Sequence, residues 1–130
     1  MAQHKMNLDT EPFKMIKSGK KTIELRLFDE KRQKIKVGDS IIFTETVTGE
    51  KLNVKVEKLH RFDSFGELYK SLPLLKCGYT EKTVADAKPS DMEEYYSLEE
   101  QKKYGVVGIE ISRPELITDE TVVLMSRDKE

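Results

Sequence analysis

Between Ser18 and Asp29 the chain reads SGKKTIELRLFD, and four charged residues, Lys20, Lys21, Glu24 and Arg26, stand among its apolar ones. Lysine and arginine donate hydrogen bonds to carbonyl or phosphate oxygens, and a glutamate accepts them from amino groups. The same types could also do covalent chemistry. A lysine held unprotonated by burial and by neighbouring positive charge, here Lys20 and Arg26, attacks an acyl carbonyl or activates water while a glutamate moves protons. The plain alternative is a structural or solvent-facing ion pair with no further task.

The elements around this stretch decide what the four residues can reach. KTIELRLFD alternates as a strand, with Ile23, Leu25 and Leu27 on one face and Thr22, Glu24 and Arg26 on the other. Glu24 and Arg26 then stand about 7 Å apart along that face. Lys21 has the opposite parity, so it meets Glu24 only if it lies in the turn after Gly19 or a bulge shifts the register. Ahead of it, KMNL reads as a short strand and DTEPFKMIKSGK as a helix. Asp9 or Thr10 caps that helix, Pro12 suits its first turn, Phe13, Ile16 and Met15 form its buried stripe, and Gly19 ends it. Its lysine-rich last turn suits the negative end of the helix dipole.

Downstream, EKRQKIKVGD is a charged connection ending in a Val-Gly-Asp turn. SIIFTETV and LNVKVEKLHRF are strands joined across TGE, where Gly49 fits a hairpin. The second half changes period. Ser64 with Glu67, Ser90 with Glu93 and Ser97 with Glu100 have capping-box spacing, which predicts short helices in SFGELYKSL, DMEEYY and LEEQKKY. GVVGIEI returns to a strand that Pro114 limits, and ITDETVVLMSRDKE is expected to add an edge strand. The sum is one α+β domain over 1–130, a small mixed barrel or curled sheet with helices packed on it.

Composition narrows the chemistry. The chain has 130 residues, 37% hydrophobic and 36% charged, enough apolar content for a core without metal or disulfide support. The single cysteine, Cys77 in LLKCGY, reads as a small buried apolar group. There is no glycine-rich phosphate loop and no Cys-x-x-Cys, and the two histidines, His4 in a frayed terminus and His60 on a rim, give zinc or a catalytic triad little to build on. No cofactor or metal is expected. MAQHKMNLDT lacks an apolar leader core and no run approaches a membrane span, so the cytoplasm is the expected location and no membrane partner is expected. The net charge of −1 hides an asymmetry: residues 14–36 carry nine Lys and Arg against three acids, while 80–130 carry thirteen acids against seven bases. A local basic zone can steer a phosphate-bearing ligand into a cleft even where the whole protein would not coat nucleic acid.

Gly19, Lys21, Glu24 and Arg26 form the pattern G-x-K-x-x-E-x-R, followed by a basic connection and VGDSIIF. This arrangement resembles the ASCH domain, the activating-signal-cointegrator homology family with a PUA-like β-barrel. The similarity runs from about Lys5 to Ile111, leaving 112–130 as an extension, and MEEYYSLEEQKKYGVVGIEI looks like the closing segment of small stand-alone bacterial members. The resemblance implies a cleft between the first helix and the barrel, suited to RNA or a nucleoside-like ligand, with no DNA-specific motif. In that cleft Lys20, Lys21 and Arg26 would contact phosphate or carbonyl, Glu24 would accept bonds from a base, and Tyr95 or Tyr96 would stack. One branch of the family removes the acetyl group from N(4)-acetylcytidine with a lysine, a threonine three residues later and a distant glutamate. Lys21 matches that lysine, and Glu24 stands where the threonine would be. An amidohydrolase using Lys21 and Glu24 is therefore the second expectation, with a third acid open among Asp91, Glu93 and Glu94.

Overall fold

The computed structural model describes residues 1–116. Its sheet follows from apolar residues at alternate positions. β1 (Gln3–Leu8) buries Met6 and Leu8, β3 (Ser40–Glu45) buries Ile41 and Phe43, and β4 (Lys51–Phe62) buries Leu52, Val54 and Val56. β2 (Ile23–Leu27) and β5 (Val106–Ile111) are buried along almost their whole length, the pattern of strands covered on both faces. The strand order is β1-β3-β4-β5-β2, with β1 and β3 parallel and the other neighbours along this order antiparallel. A two-residue β6 (Glu115–Leu116) adds to β4. The expected strand over ITDETVVLMSRDKE lies outside the described residues.

β4 belongs to both halves of the sheet. Its first residues pair with β3 and its last with β5, and the register shifts between Val56 and Lys58. A bulge there bends and twists the strand, which curls the sheet into a half-barrel and brings its edge strands β1 and β2 towards each other. Two side chains of the β2 side bridge the seam: Arg26 Nη2 donates to the Asn7 carbonyl at 2.9 Å and Lys31 Nζ to the Lys5 carbonyl at 2.8 Å. The result is the α+β, PUA-like mixed barrel with helices packed around it that the sequence predicts.

Each face of the sheet has its own core. α1 (Thr10–Lys17) sends Phe13 and Ile16 into the hollow of the half-barrel, against Phe43, Val54 and Ile109. α2 (Phe65–Ser71) covers the other face, where Phe65 and Leu68 pack on Ile23, Leu25 and Leu27. Each such buried side chain contributes roughly 1.5–3 kcal/mol. Gly108 makes the second contact close, since a Cβ there would stand 2.6 Å from Leu72 Cδ1.

The helix ends correct several expectations. Ser97 and Glu100 do form a reciprocal capping box at the start of α3 (Leu98–Tyr104), and Ser64 Oγ accepts the Glu67 N–H at 3.2 Å. Ser90 and Glu93 do not pair. A 3₁₀ helix starts earlier, at Pro89–Glu94, and it is Asp91 that accepts the Lys88 N–H, at 3.2 Å. At α1 neither Asp9 nor Thr10 caps through its side chain; Thr10 Oγ1 instead donates to Glu45 at 3.0 Å. His4 is not frayed. It sits in β1 with Nε2 2.8 Å from Asp39 Oδ2, because the Val-Gly-Asp turn brings Asp39 against the first strand.

Candidate functional site

Both faces of β2 are covered, so its polar side chains meet protein, not solvent. Glu24 lies opposite Ile109 and Arg26 opposite Val107. Opposed residues of an antiparallel pair share a face, which places both on the hollow side of the half-barrel. Lys21 reaches them from outside the strand. Gly19 takes φ +81°, the Lys21 N–H returns to the Met15 carbonyl at 3.0 Å, and β2 begins only at Ile23. The parity conflict therefore resolves through the turn after Gly19.

Glu24 is 3% exposed and Lys21 9%, so their charges depend on each other. Lys21 Nζ stands 2.6 Å from Glu24 Oε1, while Arg26 Nε and Nη2 both stand 2.8 Å from Oε2. Burial alone would push the Glu24 carboxyl up, but the charges and hydrogen bonds of Lys21 and Arg26 outweigh it and hold it below its ordinary value. Arg26 loses hydration by the same burial, yet Glu24 and the Tyr96 hydroxyl raise its pKa further. Counted by formal charge, two cationic side chains meet one carboxylate, leaving one positive charge in excess.

The trio forms the floor of a cleft of about 490 Å³ at the seam. Asn7, Leu8 and α1 line one side; Cys77, Gly78, Tyr79, Asp91 and Met92 of the 3₁₀ helix, and Tyr95 and Tyr96 just after it line the other. Tyr69 and Tyr79 share a hydrogen bond of 2.7 Å, and Tyr79 Oη donates to Asp91 Oδ2 at 2.7 Å. Burial, together with these bonds, pushes the Tyr79 hydroxyl far above its ordinary value, while Asp91, accepting from Tyr79 and the Lys88 N–H, stays below its own. Cys77 is buried as expected, its thiol raised to about 11 by burial.

Of the expected site residues, Lys21, Glu24, Arg26, Tyr95 and Tyr96 line one cleft. Lys20 does not: it is exposed in the turn after Gly19 and absent from the cleft wall. Of the two positive neighbours expected to activate Lys21, only Arg26 shares the cleft, and the Glu24 carboxylate stands 2.6 Å from Lys21 Nζ. Tyr95 is 59% exposed at the rim, whereas Tyr96 stacks on Phe65 with ring centres 6.0 Å apart. Of the candidate third acids, Asp91 and Glu94 line the cleft and Glu93 does not. Of the bases of zone 14–36 only Lys21 and Arg26 line the cleft; its other charged lining residues are acids, Asp9, Glu11, Asp91 and Glu94. Sequence reasoning missed Tyr69, Tyr79 and the Asn7 carbonyl. Cys-Gly-Tyr at 77–79 is the one local sign, a glycine beside an aromatic in a stretch without helical or strand period.

A family model described as the ASCH domain matches residues 6–115. Among solved structures the chain is similar to hypothetical protein PH0355, at 40% identity over 88% of this chain and 99% of that one, with a TM-score of 0.69. It is similar to protein PF0455 from Pyrococcus furiosus at 37% identity over 86% and 96%, TM-score 0.66. A mutant of ZmASCH from Zymomonas mobilis shares the fold at 16% identity over 94% and 79%, TM-score 0.61. No curated protein matches. The chain belongs to the ASCH domain family.

Proposed function

We propose that the cleft binds an uncharged, nucleoside-like ligand through Lys21, Glu24 and Arg26. The observation that carries this reading is the contrast between the floor and the rest of the lining. The floor is an ion trio with one positive charge in excess, suited to a carbonyl or a ring nitrogen, while four further carboxylates in the lining, Asp9, Glu11, Asp91 and Glu94, repel a phosphate chain. A free nucleoside satisfies both conditions better than a strand of RNA. The volume is that of a small-molecule site, and Tyr95 at the rim offers a ring face for stacking. Calorimetric titration of the purified protein with nucleosides and with a short single-stranded RNA tests this. Nucleosides should bind the wild type and fail to bind Lys21→Ala, with the RNA no tighter than its monomers; tight, salt-sensitive RNA binding alone would overturn it.

A second reading is favoured by the direct contact of Lys21 with Glu24 inside the cleft. In an amidohydrolase, Lys21 in its neutral form takes a proton from water, and Glu24 holds the ammonium that forms. The water oxygen then bonds to the acyl carbon, the C–N bond breaks, and the proton passes to the departing amine. Incubation with N(4)-acetylcytidine would then release cytidine, followed by chromatography. Lys21→Arg keeps the charge but cannot serve as a base, so its turnover should vanish; full turnover in that variant would sink the reading.

A further inference from the structure

The chain of hydroxyls on the cleft wall has a fixed direction. Asp91 is ionised and can only accept, so the single proton of Tyr79 is committed to it, over 2.7 Å. The 2.7 Å contact between Tyr69 and Tyr79 then has only one donor left, and Tyr69 gives its proton to Tyr79. Neither tyrosine has a second proton. Their oxygens keep lone pairs but nothing to donate, and Asp91 beyond them is an acceptor as well. All three residues line the same cleft as Lys21, Glu24 and Arg26.

We infer that Tyr69, Tyr79 and Asp91 form an acceptor-only wall that selects ligands presenting an N–H donor, and that these three residues set the polarity of recognition in this site. The inference rests on the nucleoside-like reading and sharpens it. A ligand edge that offers an amino group to the tyrosine oxygens and a carbonyl or ring nitrogen to Lys21 satisfies both sides of the cleft. A keto oxygen at the amino position would face lone pairs only. One such mismatch leaves two buried acceptors without a proton between them and is expected to lower affinity roughly ten- to hundredfold.

Two ligand pairs differ at the relevant group: cytidine against uridine, and adenosine against inosine. Calorimetry of all four should show the amino-bearing member of each pair binding more tightly to the wild type. Asp91→Asn turns the end of the chain into an amide that can donate to Tyr79, which frees the tyrosine protons to point into the cleft. Its preference should collapse or invert towards the keto member. Tyr79→Phe removes the acceptor of the Tyr69 proton and should act in the same direction, so the test survives if one variant fails to fold by circular dichroism. Binding of all four with no amino preference, or a preference unchanged in both variants, overturns the inference while leaving the nucleoside reading in place. Absence of binding by any of the four to the wild type overturns that reading, and the inference falls with it.

Discussion

Glu24 and Glu45 are each 3% exposed, yet the molecule uses them in opposite ways. Glu45, at the end of β3, accepts from the Val47 and Thr48 N–H groups, the Thr48 hydroxyl and the Thr10 hydroxyl of α1. These donors are neutral, and most belong to the hairpin turn itself. With the hydrogen bond to Thr48 first among the causes, they hold the Glu45 carboxyl down to about 2. Glu24 is met by two cations on side chains instead. Backbone donors cannot leave their carboxylate without undoing a turn, whereas Lys21 and Arg26 carry further N–H groups that a ligand can engage. The donors, not the burial, separate the two: Glu45 is a fastener, and Glu24 belongs to the proposed site.

The sharpest way to break this comparison is to remove each carboxylate. Glu24→Leu strands two buried cations and should cost about 3–5 kcal/mol in urea unfolding, together with all ligand binding. Glu24→Gln keeps the shape and one acceptor oxygen, and should lose less stability while affinity still falls. A Glu24→Gln protein with a large loss of stability and unchanged binding would show that Glu24, too, is only a fastener.

A smaller effect is expected at Glu45, and it depends on pH. Its folded pKa, about 2, lies below the ordinary glutamate value of 4.5, so its contribution is complete above about 4.5 and is lost as pH falls towards 2. Glu45→Gln should therefore be less stable at neutral pH, and its stability should fall less steeply than that of wild type between those limits. Ligand affinity at neutral pH should not change, and a binding defect there would erase the distinction drawn between the two glutamates.

The smallest effect belongs to Lys20. Exposed and outside the cleft, it should tolerate Lys20→Ala with affinity changed by no more than about twofold, the scale of a lone surface charge. A larger fall would extend the site beyond the cleft wall into the turn after Gly19.

How much of this the sequence disclosed depends on the distance over which each contact acts. The Glu24–Arg26 pair follows from parity within one strand, and the approach of Lys21 follows from a glycine two residues before it. For the tyrosine chain the one local sign is Gly78 beside Tyr79. Tyr69 stands in α2, but its partners Tyr79 and Asp91 come from a loop and a 3₁₀ turn, where neither the helical nor the strand period applies. His4 looked frayed because Asp39, the residue that holds it, belongs to a turn far along the chain. Ser90 and Glu93 satisfied a spacing rule, but Pro89 began the helix sooner and Asp91 took the capping role. The Asn7 carbonyl could not be foreseen, since a backbone acceptor carries no mark in the side-chain code.

The pairing of β2, one side of the seam, with β5 also bears on how the protein reaches its native state. Ile23 pairs with Glu110 and Leu27 with Val106, partners drawn from opposite ends of the described chain. Such non-local pairing must meet a loop-closure entropy before its contacts reward it, and is expected to form late in folding. The β3–β4 hairpin, by contrast, closes locally across its turn. The cleft accordingly does not pre-exist in any early hairpin: it is completed only when the most distant strands have met. A molecule lodged at the seam, between β1 and the β2 edge so completed, would act as a clasp on that closure and slow its reopening.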